Sequence, residues 1–512
     1  MSIATSKLRS RSILAEPEGY RAGNVVSAIV IRSRSSFVLT LILGSFVLVQ
    51  LFLPLRTAVQ IGGDEGFELA KATLCLKGHK LYSEVWNDQP PLHTFIITQV
   101  LKYLSGSVLG PRLVTSLFTA MLLASIFIIS HRICGLLVAT LTATLLIGSP
   151  GFLELSSSSM VEIPAVAPAV AALAFLLVVG QTKWRMVEIL AGIAFGVALQ
   201  IKLISAILLP LAAFIFWLQH RKSPCGKIGG SLLVFAGSVA VSFVAIDCFI
   251  DGGAYMLHFR QSWAAHFAPA TSFEYGSASD HPFDWSILLK NWDTTIPAVF
   301  GIIFSLQQKR RAPWIELPVA WMALTLILFA SHRPWWSYYY VHIAIPLCWC
   351  AAIGIKAVGE LIMRRRDIAL GVLLGLFGAG ALSWTVARVC LQAAAIRHSP
   401  QLYSSVFLTQ IERLKPFTDF IYGDEPVYSF HAGIPMPPRL AIVSLKRLWS
   451  GDLTNAKIVE ELCDVKPGII LLANDARVLP FEDLLRTDYT LIYMDQNHRL
   501  YGQRSMLAKA KW

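Results

Sequence analysis

The chain has 512 residues, 55% hydrophobic and only 15% charged, a balance too apolar for an ordinary soluble protein. Its 44 Lys and Arg outnumber its 32 Asp and Glu, for a net charge of +12. The surplus sits in short loops between apolar runs, where it orients a membrane protein, so no nucleic-acid partner is expected. Eight cysteines (Cys75, Cys134, Cys225, Cys248, Cys348, Cys350, Cys390 and Cys463) form no CxxC pair and no Cys/His cluster. Neither a disulfide framework nor a zinc site is indicated, and Cys348 and Cys350 read as small core residues.

In chain order, residues 1–35 form a basic tail carrying Lys7, Arg9, Arg11, Arg21, Arg32 and Arg34. The apolar run 36–55 follows without a convincing cleavage site and reads as an uncleaved first span. Further basic clusters are His131-Arg132, Lys183/Arg185, Arg221-Lys222/Lys227, Lys309-Arg310-Arg311 and Arg364-Arg365-Arg366. If each is cytoplasmic, an even number of crossings separates any two. Residues 187–219, bracketed by basic loops, then cross twice, turning near Gln200-Ile201-Lys202 on the outer side. Residues 91–106 then cannot cross. Leu92, Phe95, Ile96, Val100 and Tyr103 share one face there, and Thr94, Thr98, Lys102 and Ser105 another. That pattern predicts an amphipathic helix lying in the outer interface.

The expected spans are 36–55, 112–130, 136–150, 163–180, 187–200, 203–219, 228–250, 293–307, 314–331, 338–357 and 368–387, about eleven crossings. The tail is then inside and the C-terminus outside. From residue 390 the composition turns soluble, with candidate helices at 401–414, 455–464 and 481–487. Candidate strands are 427–430, 468–473, 489–494 and 499–502, with Asp495-Gln496-Asn497-His498 as a turn and Pro435, Pro437 and Pro438 marking an irregular loop. The fold class is therefore an all-α polytopic membrane domain over 36–389 with a small α/β domain over 390–512 on the outer side.

The first outer loop is the chemically richest stretch. It opens Gly62-Gly63-Asp64-Glu65-Gly66-Phe67-Glu68, passes through Gly78-His79-Lys80-Leu81-Tyr82 and reaches Asn87-Asp88-Gln89-Pro90-Pro91-Leu92. Adjacent carboxylates just beyond a span can hold an acceptor hydroxyl, take its proton, or bind a divalent cation. Asp64 reads equally well as an N-cap for a helix starting at Glu65. Glu162, after Ser156-Ser157-Ser158-Ser159, falls at the outer mouth of the fourth span, where a carboxylate must be paired or wet. Lys202 stands at the outer turn. His332-Arg333-Pro334-Trp335-Trp336-Ser337-Tyr338-Tyr339-Tyr340 leads into a span containing His342. The aromatics there suit an interfacial belt, while His332 and Arg333 on the outer side run against the positive-inside bias and suit a phosphate.

The pattern Asp64-Glu65, Gly78…Leu81-Tyr82, Pro90-Pro91-Leu92 and Arg112-Leu113 resembles the first outer loop of GT-C-fold glycosyltransferases, chiefly the protein O-mannosyltransferases and the aminoarabinose transferases of lipid A. Glu162, the Tyr340/His342/Pro346 span start and Lys466-Pro467-Gly468-Ile469-Ile470-Leu471 extend the resemblance over nearly the whole chain. It implies a transferase that takes a sugar from a polyprenyl-phosphate carrier and passes it to an acceptor (lipid A or core, an envelope glycan, or a protein) on the outer face of a bacterial inner membrane. Asp64 would be the main catalytic carboxylate, with Glu65 beside it and Glu162 as partner; no metal is required, although the carboxylates could hold a divalent cation. Relatives often carry Lys before the first Pro of the loop motif and Asp at the second acidic site; this chain has Gln89 and Glu162. The donor phosphate is therefore expected to meet Lys202, Arg333, His332, His93 or His342 around Gln89. Two rival functions are a transporter or lipid flippase, for which ionisable residues near the midplane are expected, and a ligase or polymerase of lipid-linked glycans.

Overall fold

A computed structural model describes residues 25–104, 106–178, 184–221, 225–252, 254, 257–261, 276–308, 313–365, 368–402, 405–474 and 480–512. Of the expected basic clusters, Lys7, Arg9, Arg11, Arg21, Lys183, Lys222, Lys309, Arg310, Arg311 and Arg366 lie outside the described residues, as does Ser105.

The helices of the first half are α1 (Val25–Leu51), α2 (Glu65–Leu76), α3 (Leu92–Tyr103), α4 (Leu109–Cys134), α5 (Leu136–Ile147), α6 (Phe152–Ser157), α7 (Glu162–Val178), α8 (Trp184–Ile201), α9 (Leu209–His220) and α10 (Cys225–Asp251). There follow α11 (Ser286–Lys290), α12 (Trp292–Gln308), α13 (Glu316–Ser331), α14 (Tyr340–Arg365) and α15 (Ile368–Leu402). Over its described residues, each of the expected apolar stretches is thus mainly helical. Among the described residues, six segments are long and apolar enough to cross a bilayer: Ser33–Leu51, Leu109–Cys134, Leu203–His220, Ile228–Asp251, Ser337–Arg364 and Ile368–His398. Shorter apolar helices occupy Leu136–Ile147, Glu162–Leu177 and Glu316–Ser331. A run of 3-10 turns, Leu203–Leu208, joins α8 to α9 immediately after Lys202. The last apolar helix does not stop near 387 but continues to Leu402. Residues 391–395, Leu-Gln-Ala-Ala-Ala, are good helix formers that offer no reason to break.

Over 91–106 the expected helix is α3, Leu92–Tyr103, with a particular division of faces. His93, Thr94, Ile97, Thr98 and Leu101 pack inward. Thr98 satisfies its hydroxyl on the Thr94 carbonyl at 2.7 Å, while Phe95, Ile96 and Val100 stay partly exposed and Tyr103 exposed. The inward face thus mixes polar and apolar side chains, while Lys102 of the expected polar stripe is exposed.

The C-terminal part runs α16 (Ser405–Leu414), β1 (Ile421–Gly423), α17 (Pro426–Ala432), α18 (Leu445–Trp449), α19 (Asn455–Val465), β2 (Ile469–Ala473), α20 (Glu482–Asp488), β3 (Tyr489–Met494), β4 (His498–Gln503) and α21 (Arg504–Ala510). The sheet order is β1-β2-β4-β3, with β1 parallel to β2 and the other pairs antiparallel. The expected strand at 427–430 is instead the helix α17. Pro426 occupies its first turn, and Gly433 closes it in the left-handed region at φ 66°. This region shares a core with the segment between α1 and α3: Leu74, Val85 and Trp86 pack with Tyr422, Leu440 and Leu448. Val59 packs with Val427 and Tyr428 in a second cluster.

Candidate active site

The site begins with the face of α2. Asp64, Glu68 and Lys71 lie at i, i+4 and i+7 and therefore project along one side of the helix. Asp64 occupies the N-cap position but makes no side-chain capping hydrogen bond, so the capping alternative does not describe what its carboxylate does. Gly62 allows the loop to reach the serine turn: a Cβ there would lie 2.4 Å from Met160 Sδ and 2.6 Å from Ser158 Oγ.

Glu65 points the other way. It is fully buried, and so is Arg112, which grips it with two 2.8 Å hydrogen bonds. The Ile61 and Ser159 amides donate to the same carboxylate at 2.8 and 2.9 Å, and Arg112 also donates to the Leu55 and Ala58 carbonyls at 2.7 and 2.9 Å. With both oxygens committed, Glu65 is a tie between the first loop, α4 and the serine turn, and it does not line the cavity described below. A catalytic role for it is at odds with that placement.

Glu162 opens α7 and Lys202 follows the last residue of α8; their side chains form a buried ion pair. The Lys202 ammonium also lies 5.3 Å from the centre of the Tyr338 ring and 5.2 Å from that of Tyr339. Glu162 is only 1% exposed, yet its Oε2 has no hydrogen-bond partner, an orphaned acceptor of the kind a substrate hydroxyl could satisfy. Asp64 is partly buried beside this pair. Burial and then the Glu162 charge push the Asp64 carboxyl up, Lys202 offsets this only partly, and the group comes to rest at about 6. Lys202 is pressed down by burial but held above its ordinary range by Glu162.

Deeper in α2, Lys71 donates to Glu68 at 2.7 Å and to Asn87 at 3.0 Å, and His93 Nδ1 lies 3.1 Å from Glu68. Burial acts to raise Glu68, but Lys71 and His93 prevail and bring it down to about 2. That carboxylate is a fixed charge rather than a base, and His93 is its partner rather than a free cation. Tyr82, at φ 65°, turns the loop and donates its hydroxyl to the Gln89 carbonyl at 2.8 Å, presenting residues 87–89.

Asp64, Gln89, Lys202 and Tyr338 line a cavity of about 410 Å³, closed on the far side by Tyr422 and Lys446 of the C-terminal domain. His332 lies close enough to Lys446 and Lys202 that their charges, after burial, hold its imidazole below the ordinary value. Arg333 and His342 do not line this cavity. Arg333 is exposed and reaches the Ser279 carbonyl at 3.4 Å, and His342 packs on Phe329 with 5.4 Å between ring centres. Lys71 and Lys446 were missed by sequence reasoning. The i, i+4, i+7 register marks Lys71; nothing local marks Lys446.

The Glu162 carboxylate and Asp64 together could hold a cation, although the Lys202 ammonium already supplies a positive charge at that point. Elsewhere, Asp247, Asp251 and His258 bring ligand atoms within 4.8 Å of one another at the end of α10, beside Tyr82, whose ring stacks on His258 at 4.9 Å. The helices share a polarity about the site. Those that start there, α4, α9 and α14, end near exposed Arg132, Arg221 and Arg364, and α8 arrives at Lys202 from exposed Arg185.

A family model of dolichyl-phosphate-mannose-protein mannosyltransferases matches residues 88–246, a stretch that contains Asp88, Gln89, Glu162 and Lys202. Among solved structures, the chain is similar to ArnT from Cupriavidus metallidurans bound to undecaprenyl phosphate, with TM-score 0.63 and 13% identity over 91% of this chain and 98% of that one. The apo form of the same protein gives 0.62 and 14%, over 92% and 98%. The archaeal oligosaccharyltransferase AglB from Archaeoglobus fulgidus, in complex with an inhibitory peptide and a dolichol-phosphate, gives 0.53 and 12%, over 85% and 69%. No curated protein matches the sequence. The chain has the GT-C fold of these glycosyltransferases, as a multi-pass membrane protein with a small C-terminal sheet.

Proposed function

We propose that the chain is a membrane glycosyltransferase that moves a sugar from a polyprenyl-phosphate carrier to an acceptor on the non-cytoplasmic face, and that it works in a bacterial inner membrane. The observation that carries this reading is the meeting of Asp64 and Lys202 at one cavity, with Glu162 paired to Lys202 beside it, from positions far apart in sequence and all at helix ends. A transporter site is expected nearer the middle of the bundle. Exposed arginines at the opposite helix ends support the outward orientation through the positive-inside bias. The GT-C likeness, to a protein captured with undecaprenyl phosphate, supports the donor class. Eleven crossings, a catalytic domain over 36–389 and an outer domain over 390–512 belong to the same reading.

In this mechanism the acceptor hydroxyl gives its proton to Asp64 as its oxygen attacks the anomeric carbon. The bond from that carbon to the phosphate oxygen breaks, and the polyprenyl phosphate leaves with the electron pair. A carboxyl near 6 is ionised at neutral pH and is a stronger base than an ordinary aspartate, which suits proton abstraction. Lys202, oriented by Glu162 and flanked by Tyr338 and Tyr339, faces the charge that develops on the phosphate. A divalent cation at the carboxylates would add further charge stabilisation; the ammonium fills that role without one.

The test is a comparison of envelope extracts from a producing strain and its deletion mutant. We expect one glycan, lipid or protein to lose a sugar while its polyprenyl-phosphate donor accumulates. Unchanged envelope glycans and donor pools would refute the proposal.

A further inference from the structure

We propose that Lys446, on the C-terminal domain, is a direct ligand of the donor phosphate, so that this domain completes the active site rather than merely covering it. The inference rests on the glycosyltransferase reading above and adds to it a residue from outside the membrane bundle.

The geometry starts with α18, a short helix held in place from several sides. Ser444 caps it, accepting from the Arg447 amide at 3.4 Å. Arg447 donates to the Ile442 and Arg439 carbonyls at 2.8 and 3.0 Å and to Asp452 at 2.8 Å, while its guanidinium lies 5.1 Å from the centre of the Trp86 ring in the first outer loop. Trp449 stacks on Trp336, with ring centres 6.4 Å apart and planes within 4°, and lies 5.8 Å from His281. These contacts fasten α18 to the first loop through Arg447 and to the aromatic segment through Trp449.

Lys446 lies between those two anchors, and its ammonium enters the cavity that Asp64 and Lys202 also line. There it donates to Asp88 at 3.0 Å, and Asp88 in turn accepts from Gln89 Nε2 at 3.0 Å. The ammonium therefore stands next to Gln89, in the loop that carries no cation of its own at that point. Lys446, Lys202 and His332 converge on one region, where burial first and then the two ammonium charges hold the imidazole below its ordinary value. Packing like charges together in a buried place is costly unless an anion joins them. Asp88 pairs with Lys446 and Glu162 with Lys202, which keeps both ammonium groups charged at the cavity, and a phosphate monoanion or diester bound there would accept charge-assisted hydrogen bonds from both.

The experiment uses the full-length protein in lipid nanodiscs and measures affinity for polyprenyl phosphate, together with KM and kcat for the sugar-bearing donor. Lys446→Met is expected to weaken both affinity and KM by about tenfold or more. Lys446→Gln, which keeps a hydrogen bond to Asp88, is expected to weaken them similarly, and Lys446→Arg to hold within about threefold of wild type. Asp88→Asn removes the same salt bridge but releases the ammonium, so it is expected to tighten binding. A salt bridge with only a structural role would make Asp88→Asn and Lys446→Met weaken binding alike, and that outcome would overturn the proposal. So would unaltered binding by Lys446→Met and Lys446→Gln. A wild-type protein that neither binds polyprenyl phosphate nor transfers sugar would instead bring down the glycosyltransferase reading itself.

Discussion

Asp64 and Glu65 are neighbours with the same functional group, and their surroundings set them to opposite tasks. Glu65 has every lone pair engaged by Arg112 and two backbone amides, whereas Asp64 has burial and a second carboxylate working against its charge. Sequence spacing brings both into view but cannot separate them, because the discriminating partner, Arg112, comes from another helix. Two predictions follow from the difference. Arg112→Ala should cost on the order of 3–5 kcal/mol by leaving Glu65 as an uncompensated buried charge, seen as a large fall in melting temperature in detergent. For Asp64, the folded value of about 6 lies above the ordinary 3.8. Ionising it therefore costs stability, a cost absent below about pH 4, growing between 4 and 6, and complete above 6. Asp64→Asn should accordingly melt at the same temperature as wild type, or higher, at pH 7.5, with the gap closing toward pH 4. Transfer by the wild type should fall off with decreasing pH through about 6, as the base is protonated. A rate that stays flat from pH 7 to pH 5 would contradict that assignment.

At the level of elements, what was legible depended on length and period. The long apolar stretches and most of 91–106 are specified by local pattern alone, and over their described residues they are mainly helical. The short run at 427–430 is buried at every position, Ser429 included, and such a run has no period to distinguish strand from helix. The deciding signals were Pro426 and Gly433 at its ends. The three-residue strand β1 is too short to carry a pattern. Helix contacts are likewise invisible to local pattern. A Cβ on Gly301 would lie 1.9 Å from the Cys350 carbonyl oxygen, and one on Gly354 2.0 Å from that of Pro297, so α12 and α14 touch backbone to backbone. Gly354→Leu should force them apart at a cost of about 1–3 kcal/mol or more. Because α14 begins at Tyr340, beside the tyrosines that flank Lys202, transfer should decline along with melting temperature. A variant with wild-type stability would mean that this crossing is looser than described.

For the whole molecule, the positive-inside reasoning, the helix polarity about the site and the shared core between the first loop and the C-terminal sheet all point to one face as the working surface. Lys446 escaped the sequence because only the docking of that sheet brings residue 446 to residue 88. Cysteine labelling at Lys80, Ser107 and Ser450 should report the outer side for all three; Ser107 reporting the cytoplasm would break the eleven-crossing topology and move Glu162 to the wrong face. The most direct measurement of the central claim is transfer of a labelled sugar from a polyprenyl-phosphate donor by the reconstituted protein, wild type against Asp64→Asn. Asparagine keeps the shape of aspartate without the charge or the basicity, and Asp64 makes no capping hydrogen bond for it to disturb. Loss of a general base should lower the rate by on the order of a hundredfold or more, with melting temperature maintained. Near-wild-type transfer by folded Asp64→Asn would contradict the account.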